Sequence, residues 1–444
     1  MGSPNQRGVR WLRAELPALV ASGTISAENA QAIERYYEGK TSGSHKVGFI
    51  LLATIGSILV AAGIVLLIAH NWDDFSRPVR SVIAFLPLIA AQMLSVFVLM
   101  QRGESKAWRE SAAIFDVAAV GTAISLVSQT YQIHGSLANF IFVWILLSLP
   151  LVYLMRTTLG AITYLIGTWV WLMARDKAGG FDPIYFWLLL LLVVPYFAAL
   201  YRRDRGSGET AGLAIVFAAV AAIGLGYTGD FARANIGILA FAGFFAAVYI
   251  CGIEFFPAAN SGRLHLLALL AGVAIGVMTI VLTFEEAWRH QGSLVWPADF
   301  PHAMSAAIQL SFPIVAIALA VWSFVRRRVQ FSLLAAAFPV VAALGWFLAG
   351  SCPRPTGSHT DCDLWAAILL DVYALGLGVE LIARGLRANS TARTNFGLLI
   401  IAALALARFF DSDLSFVTRA IGFIVIGVGF LLTNLLLFKK RTAV

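Results

Sequence analysis

Apolar runs of roughly 20 residues alternate with short polar stretches along most of the chain, each run long enough to cross the ~30 Å core of a bilayer as a helix. The pattern predicts spans at 48–69, 81–100, 111–129, 137–155, 157–173, 184–201, 211–227, 235–256, 264–284, 306–325, 331–350, 364–383, 395–410 and 420–438, fourteen in all. The runs are continuous and do not alternate with period two, so helices are expected and a transmembrane barrel is not. The division between the fourth and fifth spans rests on Arg156 and the two threonines that follow it.

Residues 1–46 have a different pattern. Trp11, Leu12, Leu16, Leu19 and Val20 recur at helical spacing, and Gly23 supplies a stop. Ser26 has the form of an N-cap, with Glu28 in the first turn where the helix dipole favours it. Ala30, Ile33 and Tyr37 give a second helix one apolar face. The fold class is therefore all-α: a small soluble helical hairpin at 1–46, then a polytopic transmembrane bundle at 47–444. The hairpin reads as a cytosolic cap or as a docking module for a protein partner.

Composition agrees with this architecture. The chain is 59% hydrophobic and 13% charged, where a soluble chain carries about 25% charged residues. The net charge of +8 does not point to nucleic acid, because the Lys and Arg are scattered among short loops and no basic patch with interleaved aromatics exists. With the N-terminus inside and alternate crossings, 23 of the 32 Lys and Arg fall on the cytoplasmic side. That bias predicts both termini inside and a multi-pass protein of a bacterial inner membrane. The first apolar run is too long for a cleavable signal, so the first span is expected to act as the anchor.

Candidate chemistry is sparse. Cys352 and Cys362 share one outer loop and are expected to form a disulfide, whereas Cys251 lies within a span. An ionisable group inside a span is costly and a functional candidate by default. Asp116 and Asp371 are the main candidates for a proton or cation site, with a structural pairing to Arg or backbone as the alternative. Glu254 and Glu380 lie near cytoplasmic ends, where they are expected to reach the headgroups. Gln129, in the last turn of the third span, needs polar partners. It heads the polar outer turn that includes Tyr131 and His134. The longest outer loop, from Glu285 to His302, holds carboxylates and histidines in no standard metal spacing and reads as a lid. Gly272 and Gly276 predict close helix packing in the ninth span. Neither a phosphate-binding Gly-rich loop nor a nucleophile elbow is present, which disfavours an ATP-driven machine, and with no standard metal-ligand spacing no cofactor and no metal is expected.

A second polar outer hairpin runs from His70 and Trp72 through Asp73, Asp74 and Arg77 to Arg80. A shift of 339 positions superposes Asp74, Ser76 and Arg80 on Asp413, Ser415 and Arg419, close to Arg408 and Asp411. The hairpin reads as a clasp that anchors at the interface, with its arginines facing the carboxylates. The match predicts one structural element used twice.

His70-Asn71-Trp72, Gln129-Thr130-Tyr131 with Gly135, and Trp144 through Leu149-Pro150 resemble segments of a family of bacterial polytopic membrane proteins of uncharacterised activity. The opening Trp11 to Tyr37 segment resembles that family's N-terminal helical segment. The resemblance covers roughly residues 10–160 and implies a membrane location, not a reaction. The leading functional expectation is a secondary transporter or flippase-like protein for a small polar or lipid-linked substrate, because repeats are common in transporter folds. A non-catalytic scaffold or sensor, and an enzyme acting on a lipid-linked substrate at the outer face, are the alternatives.

Overall fold

The computed structural model describes residues 6–33, 72–177, 183–232, 236–256, 266–288, 297, 299–326, 331–352, 361–388, 390–411, 424 and 427–428. The chain divides into two compact units, Met1–Ile83 and Ala84–Val444. In the first, α1 (Gln6–Ala21) ends where Gly23 adopts φ +70°, a left-handed conformation that suits glycine. Ser26 then caps helical residues 27–33, its hydroxyl accepting from the Asn29 amide at 3.2 Å. The expected first span at 48–69 and His70 lie outside the described residues, as does most of the expected last span at 420–438.

α2 (Arg77–Gln101) continues from the first unit into the second. The second unit goes on through α3 (Lys106–Tyr131), α4 (Leu137–Leu154), α5 (Thr158–Lys177), α6 (Pro183–Leu191), α7 (Val194–Arg203), α8 (Gly208–Ala232) and α9 (Gly237–Glu254). After these come α10 (Leu266–Val281), α11 (Phe300–Val325), α12 (Leu333–Gly350), α13 (Asp361–Arg387) and α14 (Thr391–Asp411). Every expected span within the described residues is helical. Ten helical segments there are long and apolar enough to cross a membrane, with α6 and α7 counted as one. The 16-residue α10 is shorter.

The expected span at 184–201 is broken between α6 and α7. Pro195 cannot donate the amide that the Leu191 carbonyl would accept, so the helix closes with a tighter Val193-to-Leu190 bond and restarts. Side chains supply the missing donors: the Tyr153 hydroxyl donates to the Leu192 carbonyl, and Tyr164 donates to Leu189 at 3.1 Å. Arg156, between α4 and α5, has φ +49°. That turn makes the division between the fourth and fifth spans a real chain reversal.

Two apolar cores meet on α9, which is half buried along its length. One joins α4 through α9, around Tyr164, Leu172 and Phe186. The other joins α9, α10, α12, α13 and α14, around Trp288, Phe338 and Leu370. Outward faces are apolar as well. On α2, Ala84, Ala91, Ser95 and Val98 are buried in one stripe, while Phe85, Ile89, Met93 and Phe97 are exposed. A surface of that kind suits lipid, not water. The tightest helix contacts do not use the expected glycine pair of α10. A Cβ at Gly272 would make ordinary contact with the Tyr249 ring at 3.6 Å, and one at Gly276 would meet Phe396 at 3.3 Å. Backbone contact occurs at Gly243 against Phe312 and Pro313, and where Gly378 crosses Gly397.

Two helix starts share one capping arrangement. Thr157 is the hydroxyl ahead of α5, and it accepts from the Gly160 amide at 3.0 Å. Ser332 precedes α12 and accepts from Ala335 at 3.1 Å. In each case a glutamate from another helix completes the cap. Glu110 of α3 accepts from the Thr157 hydroxyl and from the Thr158 and Leu159 amides, both at 2.9 Å. Glu380 of α13 accepts from the Ser332 hydroxyl at 2.5 Å and from the Leu333 and Leu334 amides at 3.2 Å. Glu380 therefore does not reach for headgroups. Its charge is met by α12 and by Arg384 at 2.8 Å. Glu254, also expected at the interface, has a buried Oε1 with no partner among the described residues.

Cys352 and Cys362 form a disulfide that joins the end of α12 to the start of α13. Neither thiol is expected to react with a maleimide until the protein is reduced, and reduction should cost about 2.5–3 kcal/mol of stability on a chain-entropy basis. Glu380→Ala is expected to lower stability by about 1–2 kcal/mol, read as a fall in Tm in detergent. Glu380→Gln, which keeps an acceptor oxygen, should lose less.

Candidate functional site

Asp371 and Asp116, the two expected intramembrane acids, have opposite surroundings. Asp371 of α13 is paired. The Arg408 side chain on α14 donates to its Oδ1 through Nε at 3.1 Å and Nη2 at 2.9 Å. Arg408 also donates to the Thr283 carbonyl just past α10, and its guanidinium lies 5.8 Å from the Phe284 ring centre. Both partners are 28% exposed. The arrangement ties α13 and α14 to the chain just past α10 and pairs the Asp371 carboxylate with a cation.

Asp116 of α3 is only 2% exposed. Among the described residues its hydrogen-bond partner is the Ser95 hydroxyl of α2, which donates to Oδ2 at 3.0 Å, and it forms no ion pair among them. Small residues on α3 create this environment. Ala112, Ala113, Ala119, Gly121 and Ala123 are buried and allow close approach of neighbouring helices. Trp144 of α4 packs against Gly121, where a Cβ would come within 2.7 Å of the indole. Its Nε1 donates to the Val117 carbonyl at 2.7 Å, beside Asp116.

A groove of about 710 Å³ lies among α2, α3, α4 and the turn between the last two. Gln92, Val120, Ser128, His134 and Asn139 are among its lining residues. Gln92 precedes Ser95 by three residues and Val120 follows Asp116 by four, so the Ser95–Asp116 pair lies one helical turn beyond the groove. The α3–α4 turn is shaped by Gln132, at φ +49°, and by Ser128, whose hydroxyl donates to the Ile133 carbonyl at 3.1 Å. Gln129, Tyr131 and His134 are exposed at this turn. Gln129, expected to need polar partners, is exposed in the last helical turn of α3.

The Trp72–Arg80 segment, in the first unit, is clasped locally. Trp72–Asp74 form a 3-10 turn, Arg80 Nε donates to the Phe75 carbonyl at 2.9 Å, and the guanidinium lies 5.9 Å from the Trp72 ring centre. Asp74 and Arg77 are exposed, and the Asp73 side chain lies outside the described residues. Asp413, Arg419 and the side chain of Asp411 also lie outside the described residues. In the long loop, Asp299 and His302 bond to each other at the start of α11, and that bond holds the Asp299 carboxyl below the usual carboxylate range. Among the described residues no three His, Cys, Asp or Glu side chains converge on a metal position.

Sequence reasoning missed Glu110, which lies just ahead of the expected third span. A usable signal exists. A Ser or Thr N-cap is commonly completed by Glu or Gln three residues later. Here those positions are Gly160 and Ala335, so the first-turn amides require an acid from elsewhere. Trp187 donates to Thr228 at 3.0 Å and packs on Phe312.

Removing either member of the Asp371–Arg408 pair should be costly, and removing both should cost less than the sum. Asp371→Leu and Arg408→Leu are each expected to destabilise by about 2–4 kcal/mol, with the double variant recovering part of the loss. A double-mutant cycle on thermal unfolding in detergent measures this. Additive losses would show that the pair does not interact.

Comparison with known proteins finds a similarity over the N-terminal third. No curated protein and no solved structure matches the chain. Residues 17–161, which include Glu110, Asp116, Trp144 and the groove, match the family model described as Predicted membrane protein (DUF2157).

Proposed function

We propose that this membrane protein is a secondary transporter of a bacterial inner membrane, in which Asp116 carries the coupling proton or cation. The observation that supports this reading most is Asp116 itself: a carboxyl buried in an apolar helix, held by one hydroxyl and by no cation among the described residues. Maintaining such a group in hydrocarbon is expensive unless it takes up a proton or an ion. Its position one turn beyond a groove supports an access route for a small polar or lipid-linked substrate. The positive-inside charge bias supports placing the groove on the outer side.

The scaffold reading gains from one observation. Glu110, Glu380 and Asp371 all serve helix–helix connections, so charged residues in this bundle are used mainly for structure. Asp116 is the residue on which the two readings part.

The test has two arms. Dicyclohexylcarbodiimide, an apolar reagent that attacks protonated carboxyls, should label Asp116 in the native protein, less as pH rises and not at all in Asp116→Asn. Protein reconstituted on a solid-supported membrane should give a transient current with at least one class in a panel of sugars, amino acids, lipophilic cations and lipid-linked sugars under a pH gradient. Asp116→Asn should abolish that current with Tm preserved. Unlabelled Asp116, together with silence toward every class, would leave the scaffold as the better account.

A further inference from the structure

We propose that a second cavity, remote in sequence from Asp116, binds an anionic phospholipid. It is bounded by the last turns of α9 and α13 and the first turns of α10, α12 and α14. Its volume is about 560 Å³, within the range of small-ligand sites.

The lining is polar at one end and apolar along its length. Arg384, Ser390, Thr391 and Arg393 line it at the end of α13 and the start of α14. Leu377 and Leu381 line it deeper along α13, and the seven residue steps from Leu377 to Arg384 span about 10 Å of helix. Leu269 and Ile275 of α10 and Phe396 of α14 continue the apolar wall. Gly272 also faces the cavity, and its missing side chain contributes to the space.

The two arginines are not equivalent. Arg384 is already engaged, donating to the Phe331 carbonyl at 2.6 Å and pairing with Glu380. Arg393 is half-buried and makes no hydrogen bond or ion pair among the described residues. A partly desolvated cation without an anion is costly, and a phosphate at this position would offset that cost. The start of α14 adds the positive end of a helix dipole. These features select an anion. The apolar length selects one that carries a hydrocarbon chain. Leu269, one of the apolar wall residues, is 41% exposed on the outward face of α10, which gives the cavity a side open toward lipid. A phospholipid with a net negative headgroup has this combination, and basic pockets between transmembrane helices recognise such headgroups.

The full-length protein, purified in detergent and stripped of co-purified lipid, tests this. It is titrated with dioleoylphosphatidylglycerol, with dioleoylphosphatidylcholine and with inorganic phosphate, and followed by native mass spectrometry and by Tm. Phosphatidylglycerol is expected to stay bound and raise Tm, and the other two are not. Arg393→Gln should weaken phosphatidylglycerol binding on the order of tenfold, the loss of one charge-assisted bond, without lowering the lipid-free Tm. Gly272→Leu should fill the space and block binding. Equal binding of phosphatidylcholine overturns the proposal, as does an equal Tm gain from inorganic phosphate or unchanged affinity in both variants. The cavity shares no residue with the Asp116 groove, so either proposal can fail without the other.

Discussion

The backbone amides at a helix start have no partner within their own helix, and lipid offers none. Much of the polar chemistry in this protein follows from that constraint. Glu110 and Glu380 each cross to another helix, accept from an N-cap hydroxyl and take the next two amides. Their charge is useful because it sits at the positive end of a helix dipole. The same logic explains Tyr153 and Tyr164, whose hydroxyls attend to carbonyls at the break after α6. It also explains Arg408, which takes the Thr283 carbonyl where the chain leaves α10. Polar side chains inside this bundle are thus mostly committed to backbone, and they tie separate helices together while doing so.

Against that background Asp116 differs in kind. It lies in mid-helix, where every neighbouring amide and carbonyl has an intrahelical partner, so it caps nothing. Its single bond to Ser95 links α2 to α3, a task that a serine or asparagine could perform at lower cost. The carboxyl in this position is the feature of the bundle that structural demands explain least.

The helices were largely legible in the sequence because hydropathy is summed over many residues and tolerates local exceptions. Even the weak division at Arg156 and the short run at 395–410 correspond to real elements, α5 and α14. What the sequence concealed were pairwise relations. Asp371 and Arg408 are 37 positions apart, and no local pattern links them. Glu380 looked like an interfacial residue because its distance from the helix end is right. Its actual role depends on where α12 begins, which is a tertiary fact. Gly272 and Gly276 had the spacing of a packing motif, but spacing does not say whether a backbone or a ring will occupy the space. Pro195 was visible, and its effect on the span at 184–201 is the one break that local rules could have predicted.

The disulfide between Cys352 and Cys362 has a mechanical side. It closes α12 and α13 covalently at one end, and Glu380 and Arg384 fasten α13 to the start of α12 at the other. Between them the Tyr373 hydroxyl donates to the Leu334 carbonyl at 2.7 Å. A helix pair tied at both ends resists shear and splay, so the disulfide and the Glu380 cap act on the same pair from opposite ends of the membrane span.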